Sequence, residues 1–301
     1  MKCIATCLMI GLLTVGVLSL TAAPVDTGQA DQKLVGEPLK IDTQYKGPFN
    51  INLIKWFESH PFEQGKSVRT EVLFQTPRIT AMALRIKGPF DMHYHLQCDE
   101  IIYPIKGTAK EWVNGKWETL KPGIVHYNPR GIVHGGQFDE EFWGVVFFTP
   151  TPPASGGDRV WTKDSAYKAG DVAVDWKLVD TQFMVGQMVD VDKFLTEHPI
   201  PASQPMRADY VVGSPRSQYV IGQKPKLDPH HHGSSDEIIF VYRGTGEMYI
   251  NGEWVKVTPG DIHFNARGFI HGIRPVSDDF RIFAIFTPPP VNGSDRIFLG
   301  K

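Results

Sequence analysis

Two stretches of the chain decide its fold: HYHLQCDE at residues 93–100 and HHHGSSDE at residues 230–237. Each holds two histidines separated by one residue and a glutamate five residues after the second histidine, and a further histidine follows later. Every member of the first set recurs 137 positions on (230 minus 93). Three imidazoles and one carboxylate suit a divalent transition metal, so the repeat predicts two metal sites in two copies of one domain. The two sets are His93, His95, Glu100 and His134, and His230, His232, Glu237 and His271.

The spacing within each set has a geometric reason. Successive side chains of a β-strand face opposite sides, so His93 and His95 share a face, as do His230 and His232. Each glutamate begins an apolar run that is typical of a strand, and the last histidine comes from a distant third segment. Ligands that converge from several strands on one interior fit a small β-barrel.

The duplication extends well beyond the ligands. Residues 126–135 (HYNPRGIVHG) match residues 263–272 (HFNARGFIHG), and an Asn-Gly pair, a strong hairpin signal, stands at 114–115 and again at 251–252. Gly, Pro and Asn interrupt short apolar runs about every 8–12 residues, which is typical of an all-β sandwich or barrel. Upstream of each barrel, the pattern predicts one short helix that ends before a proline.

The repeat also predicts the domain organisation. The N-terminal run has a lysine, an apolar stretch and small residues at its end, as secretory signal peptides do; a membrane anchor is the alternative, because the run nears about 20 residues. Cleavage would leave Cys98 as the single cysteine, which excludes an internal disulfide. The predicted parts are a signal peptide at 1–23, an arm at 24–39, a first domain at 40–163, a linker at 164–175 and a second domain at 176–301.

The charge composition bears on partners and location. A formal net charge of −2 without a basic tract gives no reason to expect nucleic acid or an acidic membrane as a partner. With the signal peptide removed, we expect a periplasmic or secreted protein that is not bound to a membrane.

At this point the chain resembles the cupin superfamily, specifically a bicupin. The first family motif, G-x5-HxH-x3-4-E-x6-G, is met from Gly88 to Gly107, with the first glycine one residue closer than usual and absent from the second half. The second motif, G-x5-PxG-x2-H-x3-N, is met in both halves, except that Ala266 replaces the proline in the second and the final asparagine is missing from both. The residues that match it are Gly123, Pro129, Gly131 and His134, and Gly260, Gly268 and His271.

The resemblance implies an all-β fold of two tandem double-stranded β-helix barrels, of the jelly-roll or cupin type, with short flanking helices. It also implies one divalent transition metal per domain, with iron or manganese favoured over nickel, copper or zinc, and a small-molecule substrate. Cupins often pair as homodimers, and exposed strand edges give a reason to do so. We expect a dioxygenase-type oxidoreductase; the alternatives are a cupin decarboxylase, lyase or isomerase, or a non-catalytic metal- or ligand-binding bicupin.

Three further residues are candidates for catalysis. His126 and His263 stand eight residues before the last ligand of each set and could transfer protons or orient a ligand. Tyr103 follows Glu100 by three residues where the second half has Phe240, so its phenol could act as an acid or base. For all three, ordinary packing within a barrel is the competing interpretation.

Overall fold

The structure is a computed structural model that describes residues 50–113, 116–153, 158–162, 187–290 and 295–299. The predicted signal peptide, arm and linker, and the first Asn-Gly pair, lie outside the described residues. Within these ranges the chain is almost entirely β, with two short helices, so the predicted all-β cupin architecture is confirmed.

The two halves have matching orders of elements. The first half consists of β1 (Asn50–Asn52), α1 (Leu53–Ser59), β2 (Val68–Gln75), β3 (Thr80–His95), β4 (Asp99–Lys106), β5 (Ala109–Val113), β6 (Lys116–Leu120), β7 (Ile124–Asn128), β8 (His134–Thr149) and β9 (Arg159–Trp161). The second consists of β10 (Gln187–Asp190), α2 (Val191–Glu197), β11 (Arg207–Gly213), β12 (Gln218–Gln223), β13 (Leu227–His232), β14 (Asp236–Arg243), β15 (Gly246–Ile250), β16 (Glu253–Val257), β17 (Asp261–Asn265), β18 (His271–Pro275), β19 (Arg281–Thr287) and β20 (Arg296–Phe298).

Local sequence signals explain where these elements begin and turn. Asn52 and Asp190 cap the two helices, because their side chains accept hydrogen bonds from backbone N–H groups in the first turn. Asn251 and Gly252 both have positive φ, 51° and 91°, as a tight turn between β15 and β16 requires. Across the described ranges, neither helix has the length and hydrophobicity that a membrane span needs.

The first strand of each half pairs with a strand of the other half. β1 pairs antiparallel with β17, with Asn50 opposite His263. In return, β10 pairs with β7, with Met188 opposite His126. β1 and β10 thus cover the edges of β17 and β7, which bear the candidate catalytic histidines. These edges are not left open for pairing with another chain.

The two halves also share one hydrophobic core. The outward faces of β4, β8, β14 and β19 meet there, and Tyr103 and Phe147 from the first half pack with Phe240 and Phe283 from the second. The interior of each barrel holds a separate apolar cluster. The shared core lies between the barrels, so burying it requires both halves.

Two buried aspartates join the halves by reciprocal hydrogen bonds. Arg78 donates from Nε and Nη2 to Asp236, both at 2.9 Å. Arg216 donates in the same way to Asp99, at 2.9 and 2.7 Å. Both aspartate side chains have no exposed surface, and a buried carboxylate is costly unless it is paired and hydrogen-bonded. We call these two contacts the reciprocal clamp.

The reciprocal clamp also reaches the turn that precedes the last histidine of each set. The backbone N–H of Arg130 donates to Asp99 at 3.0 Å, and that of Arg267 donates to Asp236 at 2.9 Å. Each aspartate directly precedes a predicted ligand glutamate in the chain. The clamp therefore fixes two segments of each candidate site from the opposite half.

Breaking one arm of the clamp should destabilise the whole molecule. Arg216→Ala leaves Asp99 buried without its guanidinium, and we expect the free energy of unfolding to fall by about 3–5 kcal/mol. Urea unfolding followed by tryptophan fluorescence measures this change. Lys193→Ala is the control, because it removes an exposed ion pair with Glu197 and should cost less than about 0.5 kcal/mol. Equal effects of the two variants would contradict the clamp's role.

Candidate metal centre

In the first half, three strands bring the predicted ligands to one buried point. His93 and His95 end β3, Glu100 lies on β4 and His134 begins β8. His93 and His134 are direct cross-strand partners, and their ring centroids are 4.3 Å apart. All four side chains are buried, and one ligand atom from each lies within 4.8 Å of the other three.

The second half repeats the arrangement with one difference. Ligand nitrogens of His230, His232 and His271 lie within 4.8 Å of one another, and His230 is opposite His271 in the sheet. Glu237 lies beside them: its Oε2 is 2.8 Å from Nε2 of His271 and 3.8 Å from Nε2 of His232. Asn265 donates a hydrogen bond to the same Oε2 at 2.9 Å.

Backbone carbonyls fix the orientation of four histidine rings. A carbonyl oxygen only accepts hydrogen bonds, so each bonded Nδ1 carries the proton and Nε2 keeps its lone pair. The Nε2 atoms of these four rings are buried and make no hydrogen bond. The bonded pairs are His93 with Asp91 at 2.9 Å, His134 with Ile132 at 2.9 Å, His230 with Asp228 at 2.8 Å and His271 with Phe269 at 3.0 Å.

A carboxylate orients the remaining histidine of each set. His95 donates from Nδ1 to Asp158 at 3.2 Å, and His232 donates to Asp295 at 2.6 Å. An Asp-Arg pair stands at the end of both halves, at 158–159 and again at 295–296. That repeat was the signal that could have identified these aspartates. Cys98 also donates to Asp158, at 2.8 Å.

Burial and these hydrogen bonds push the histidine pKa values apart. Burial, together with the neighbouring His271, lowers the pKa of His230 to about 3. Burial also acts on His232, but the hydrogen bond to Asp295 and the charge of Glu237 outweigh it and raise the pKa of His232 to about 9. In the first half, burial holds the pKa of His93 well below its ordinary value.

Both ligand glutamates are ionised. Burial would raise the pKa of Glu100, but the neighbouring His134 and His95 outweigh burial and hold it well below its ordinary value. The same balance, with His271 in that role, holds the pKa of Glu237 low. Each site therefore combines imidazole nitrogens with one carboxylate charge in a buried position.

The geometry and chemistry of both sites fit a bound metal ion. With metal–nitrogen bonds of about 2.1 Å, neighbouring ligands of one octahedral ion lie about 3 Å apart. The 2.8 Å approach of His271 Nε2 to Glu237 Oε2 brings together two acceptor atoms, which a shared cation would stabilise. The buried Nε2 atoms without hydrogen bonds are the second sign that these groups could hold a metal.

The structure places His126 beside the first metal centre. It lies on β7, opposite Ile102 of β4, with both ring nitrogens buried and without a hydrogen bond of good geometry. Burial, with the nearby His134, lowers its pKa to about 3, so the ring is neutral at physiological pH. His263 occupies the matching position on β17, opposite Ile239.

Tyr103 is not brought to either metal centre. Its ring lies 4.5 Å from Phe240 and 4.8 Å from Phe283, in the shared core between the halves. The offset of three residues from Glu100 puts it on the opposite face of β4. Burial holds the pKa of its phenol well above the ordinary value. Tyr103 and its counterpart Phe240 thus pack against each other.

Comparisons with known proteins agree with this architecture. A family model for the cupin domain matches residues 219–286. An uncharacterised protein of Aquifex aeolicus (strain VF5) is 35% identical over 81 residues, which make up 27% of this chain and 66% of that protein.

Solved structures are similar over most of the chain. A salicylate 1,2-dioxygenase from Pseudoaminobacter salicylatoxidans, solved as adducts with gentisate, has a TM-score of 0.62 at 13% identity over 87% of each chain. A cupin 2 conserved barrel domain protein from Leptotrichia buccalis has a TM-score of 0.56 at 11% identity, over 79% of this chain and 95% of its own. An oxalate decarboxylase of Bacillus subtilis has a TM-score of 0.51 at 11% identity, over 87% of this chain and 82% of its own. Residues 219–286 thus belong to the cupin domain family, and the described residues have the fold of a bicupin, two cupin barrels in tandem.

Proposed function

We propose that this protein is a metal-dependent enzyme of the dioxygenase type that acts on a small oxygenated metabolite. The observation that carries the proposal is the convergence of buried Nε2 atoms on an ionised glutamate, once in each half. A purely structural metal site is more often tetrahedral and rich in cysteine, and neither set contains a cysteine. The protein would hold one divalent transition metal per half, with iron or manganese favoured over nickel, copper or zinc.

A bound metal would supply a Lewis acid for substrate oxygens and, with iron or manganese, redox chemistry with O2. The chain's own residues prepare the place for that chemistry. Asp158 and Asp295 keep His95 and His232 in one orientation. The ring centroids of Phe148 and Phe286 lie 5.3 Å from those of His95 and His232, respectively. These apolar rings exclude water on that side of each histidine.

His126 is the proposed substrate-orienting residue of the first half. Its neutral ring is buried beside the ligands, and Asn128 follows on the same face of β7. With a pKa of about 3 its imidazole is a weak base, so it would orient a substrate oxygen through a hydrogen bond. His263 is the corresponding residue of the second half.

The substrate class follows from the donor set and the neighbours. A hydroxy acid or keto acid presents two oxygens that can bind one ion together, and the salicylate dioxygenase neighbour binds gentisate. We propose an aromatic or aliphatic acid of this kind. We also propose export to the periplasm or the medium through residues 1–23, and pairing of two copies; both rest on the sequence pattern alone.

A decarboxylase, lyase or isomerase is the second candidate. The observation that favours it is the fold shared with the oxalate decarboxylase of Bacillus subtilis, at a TM-score of 0.51. A non-catalytic metal- or ligand-binding bicupin is the third candidate. The buried ligand groups in both halves, with Glu237 2.8 Å from His271 in the second, count against the third.

Metal content and oxygen uptake together separate these candidates. We expect up to two ions per chain in protein purified without added metal, and one fewer after His95→Ala or His232→Ala, because each variant removes a ligand from one site. Oxygen uptake with a panel of phenols, keto acids and sugar acids, gentisate included, should fall by about tenfold or more in at least one variant. Elemental analysis and an oxygen electrode provide the measurements.

His60→Ala is the matched control for these two variants. Its Nδ1 lies 2.7 Å from the carbonyl oxygen of Trp56 at the end of α1, so neither the ion count nor the uptake should change. Carbon dioxide release without oxygen uptake would favour the decarboxylase. Full metal loading with tight binding of an unchanged metabolite would show that the enzyme proposal is wrong.

The raised pKa of His232 predicts a pH-dependent metal affinity at the second site. With a pKa of about 9, this imidazole is protonated at neutral pH, and an incoming metal must displace the proton. We expect the affinity to rise about tenfold per unit between about pH 7 and pH 9 and then to level off. Competition with a chelator for Zn²⁺ measures it, in a chain whose first site is removed by His93→Ala and His95→Ala.

The same pKa has an opposite effect on the metal-free fold. Because the His232 pKa is raised above 6.5, protonated His232 adds stability below pH 6.5 that is lost as the pH rises through about 9.

A variant of Asp295 tests the cause of the raised pKa. In the chain without a first site, Asp295→Asn removes the main contact that raises the His232 pKa, so the steep part of the affinity curve should move to lower pH. At about pH 9 the affinity should still be about 10–100-fold weaker, because the ring loses its orienting carboxylate. Asp278→Asn changes an exposed aspartate that pairs with Lys224 and should leave the curve unchanged. A curve that is flat between pH 7 and 9 would contradict the assignment.

A further inference from the structure

The row of residues next to the metal ligands differs in chemistry between the halves. In the first half, cross-strand pairing across β6, β5, β8 and β3 aligns four residues, and the matching row in the second half crosses β16, β15, β18 and β13. The first row is Glu118, Glu111, Gly136 and Phe90. The second is Val255, Met248, Ile273 and Leu227. Each member is again displaced by 137 residues.

Glu111 faces the interior of the first barrel. Ala109, two residues before it on β5, belongs to the interior cluster, and side chains two apart share a face. Gly136 is its direct partner, and His134 lies two residues before Gly136 on β8. A diagonal neighbour of this kind lies about 7–8 Å away, so the Glu111 carboxyl is one row from the metal ligands.

Gly136 gives the Glu111 carboxyl its position. A Cβ at Gly136 would lie 3.1 Å from Oε1 of Glu111 and 2.6 Å from Cε2 of Phe138. Any larger residue would therefore displace one of these side chains. The second half has Ile273 at this place, opposite the fully buried Met248.

One oxygen of the buried Glu111 carboxyl has no hydrogen-bond partner among the described residues. The side chain is 2% exposed, and its Oε2 makes no hydrogen bond to any described residue. Burial, with the charge of Glu100 adding to it, raises the pKa of Glu111 well above its ordinary value. A buried polar group without a partner costs stability, and the second half shows that the fold accommodates a methionine there.

A cavity of the first half borders the same row of residues. It has a volume of about 500 Å³, and Phe90, Glu118 and Gly136 are in its lining. This volume falls in the range of about 300–1,000 Å³ that small-molecule sites have. The cavity beside His232 in the second half measures about 140 Å³, which is below that range. Glu111 and the metal ligands are not part of this lining, so the cavity adjoins the row without enclosing the ligands.

We propose that Glu111 is the residue of the first barrel that hydrogen-bonds an oxygen atom of the substrate beside the metal ligands, and that the first barrel is therefore the one that binds substrate. This inference rests on the proposed function and names the half that performs it. The second candidate metal site lies next to an apolar row and has no such carboxyl to bind a substrate oxygen. The substrate class remains a hydroxy or keto acid that has, besides the two oxygens for the metal, a further oxygen that can hydrogen-bond to Glu111.

The test compares Glu111→Met, which copies the second half, with Glu111→Gln, which keeps the size of the side chain. Gentisate, oxalate and catechol serve as probes, titrated by calorimetry into metal-loaded protein without oxygen. We expect Glu111→Met to weaken the tightest probe by about tenfold or more, as the loss of a buried hydrogen bond does. Its Tm should rise by about 2–4 °C because an unpaired buried carboxyl is removed, and its metal content should stay unchanged.

Two controls locate the effect. Glu247→Met changes a glutamate on β15 that pairs with Arg274 near the surface, and it should leave probe affinity unchanged. Probe binding should survive His232→Ala and be lost in His95→Ala. Glu111→Gln should fold and weaken binding less than Glu111→Met does.

The outcomes separate this inference from the proposed dioxygenase. Weaker binding in Glu111→Met without any oxygen uptake by the wild-type chain would support the Glu111 assignment and count against the dioxygenase. Unchanged affinity in Glu111→Met, a lower Tm, or no binding of any probe by the wild-type chain would each overturn the assignment.

Discussion

Each ligand glutamate follows an aspartate whose buried charge is neutralised from the opposite half. Asp99 and Asp236 have no exposed side-chain surface, and Arg216 and Arg78 provide their guanidinium partners across the interface. A buried carboxylate that lost its partner would cost several kcal/mol, so the halves are held in one relative position. That position fixes the strand that carries the glutamate and the turn before the last histidine. Each candidate metal centre therefore depends on the other half for its geometry.

Sequence alone predicted the ligand sets because strand geometry leaves few choices. His93 and His95 must share a face if their segment is a strand, and the repeat at His230 and His232 shows that the spacing is not accidental. The hairpin at 251–252 was predictable for a similar reason, since positive φ at both positions is rare outside Asn and Gly. Such signals are local, and the repeat supplies each of them twice.

Other features depend on contacts between distant segments and leave little trace in one sequence. The exchange of β1 and β10 between the halves is decided by pairing with β17 and β7, far along the chain. Asp295 reaches His232 across 63 residues, and only its repetition as Asp158 pointed to a role. Tyr103 is a different case, because the alternation that placed the histidines also puts it on the face opposite Glu100. Applied to Tyr103, the same rule predicts a side chain that points away from the ligands.

Duplication also explains how the chain can hold the destabilising buried carboxyl of Glu111. The shared core and the reciprocal clamp constrain both halves alike, and they account for much of the similarity between them. The row beside the ligands is free of that constraint, and there one half has Glu111 and Gly136 where the other has Met248 and Ile273. An unpartnered carboxyl in a barrel interior reduces stability, and such reductions are tolerated mainly at functional sites. The matching row of the second barrel is apolar and buries no carboxyl. Two barrels of one fold can in this way divide stability and chemistry between them.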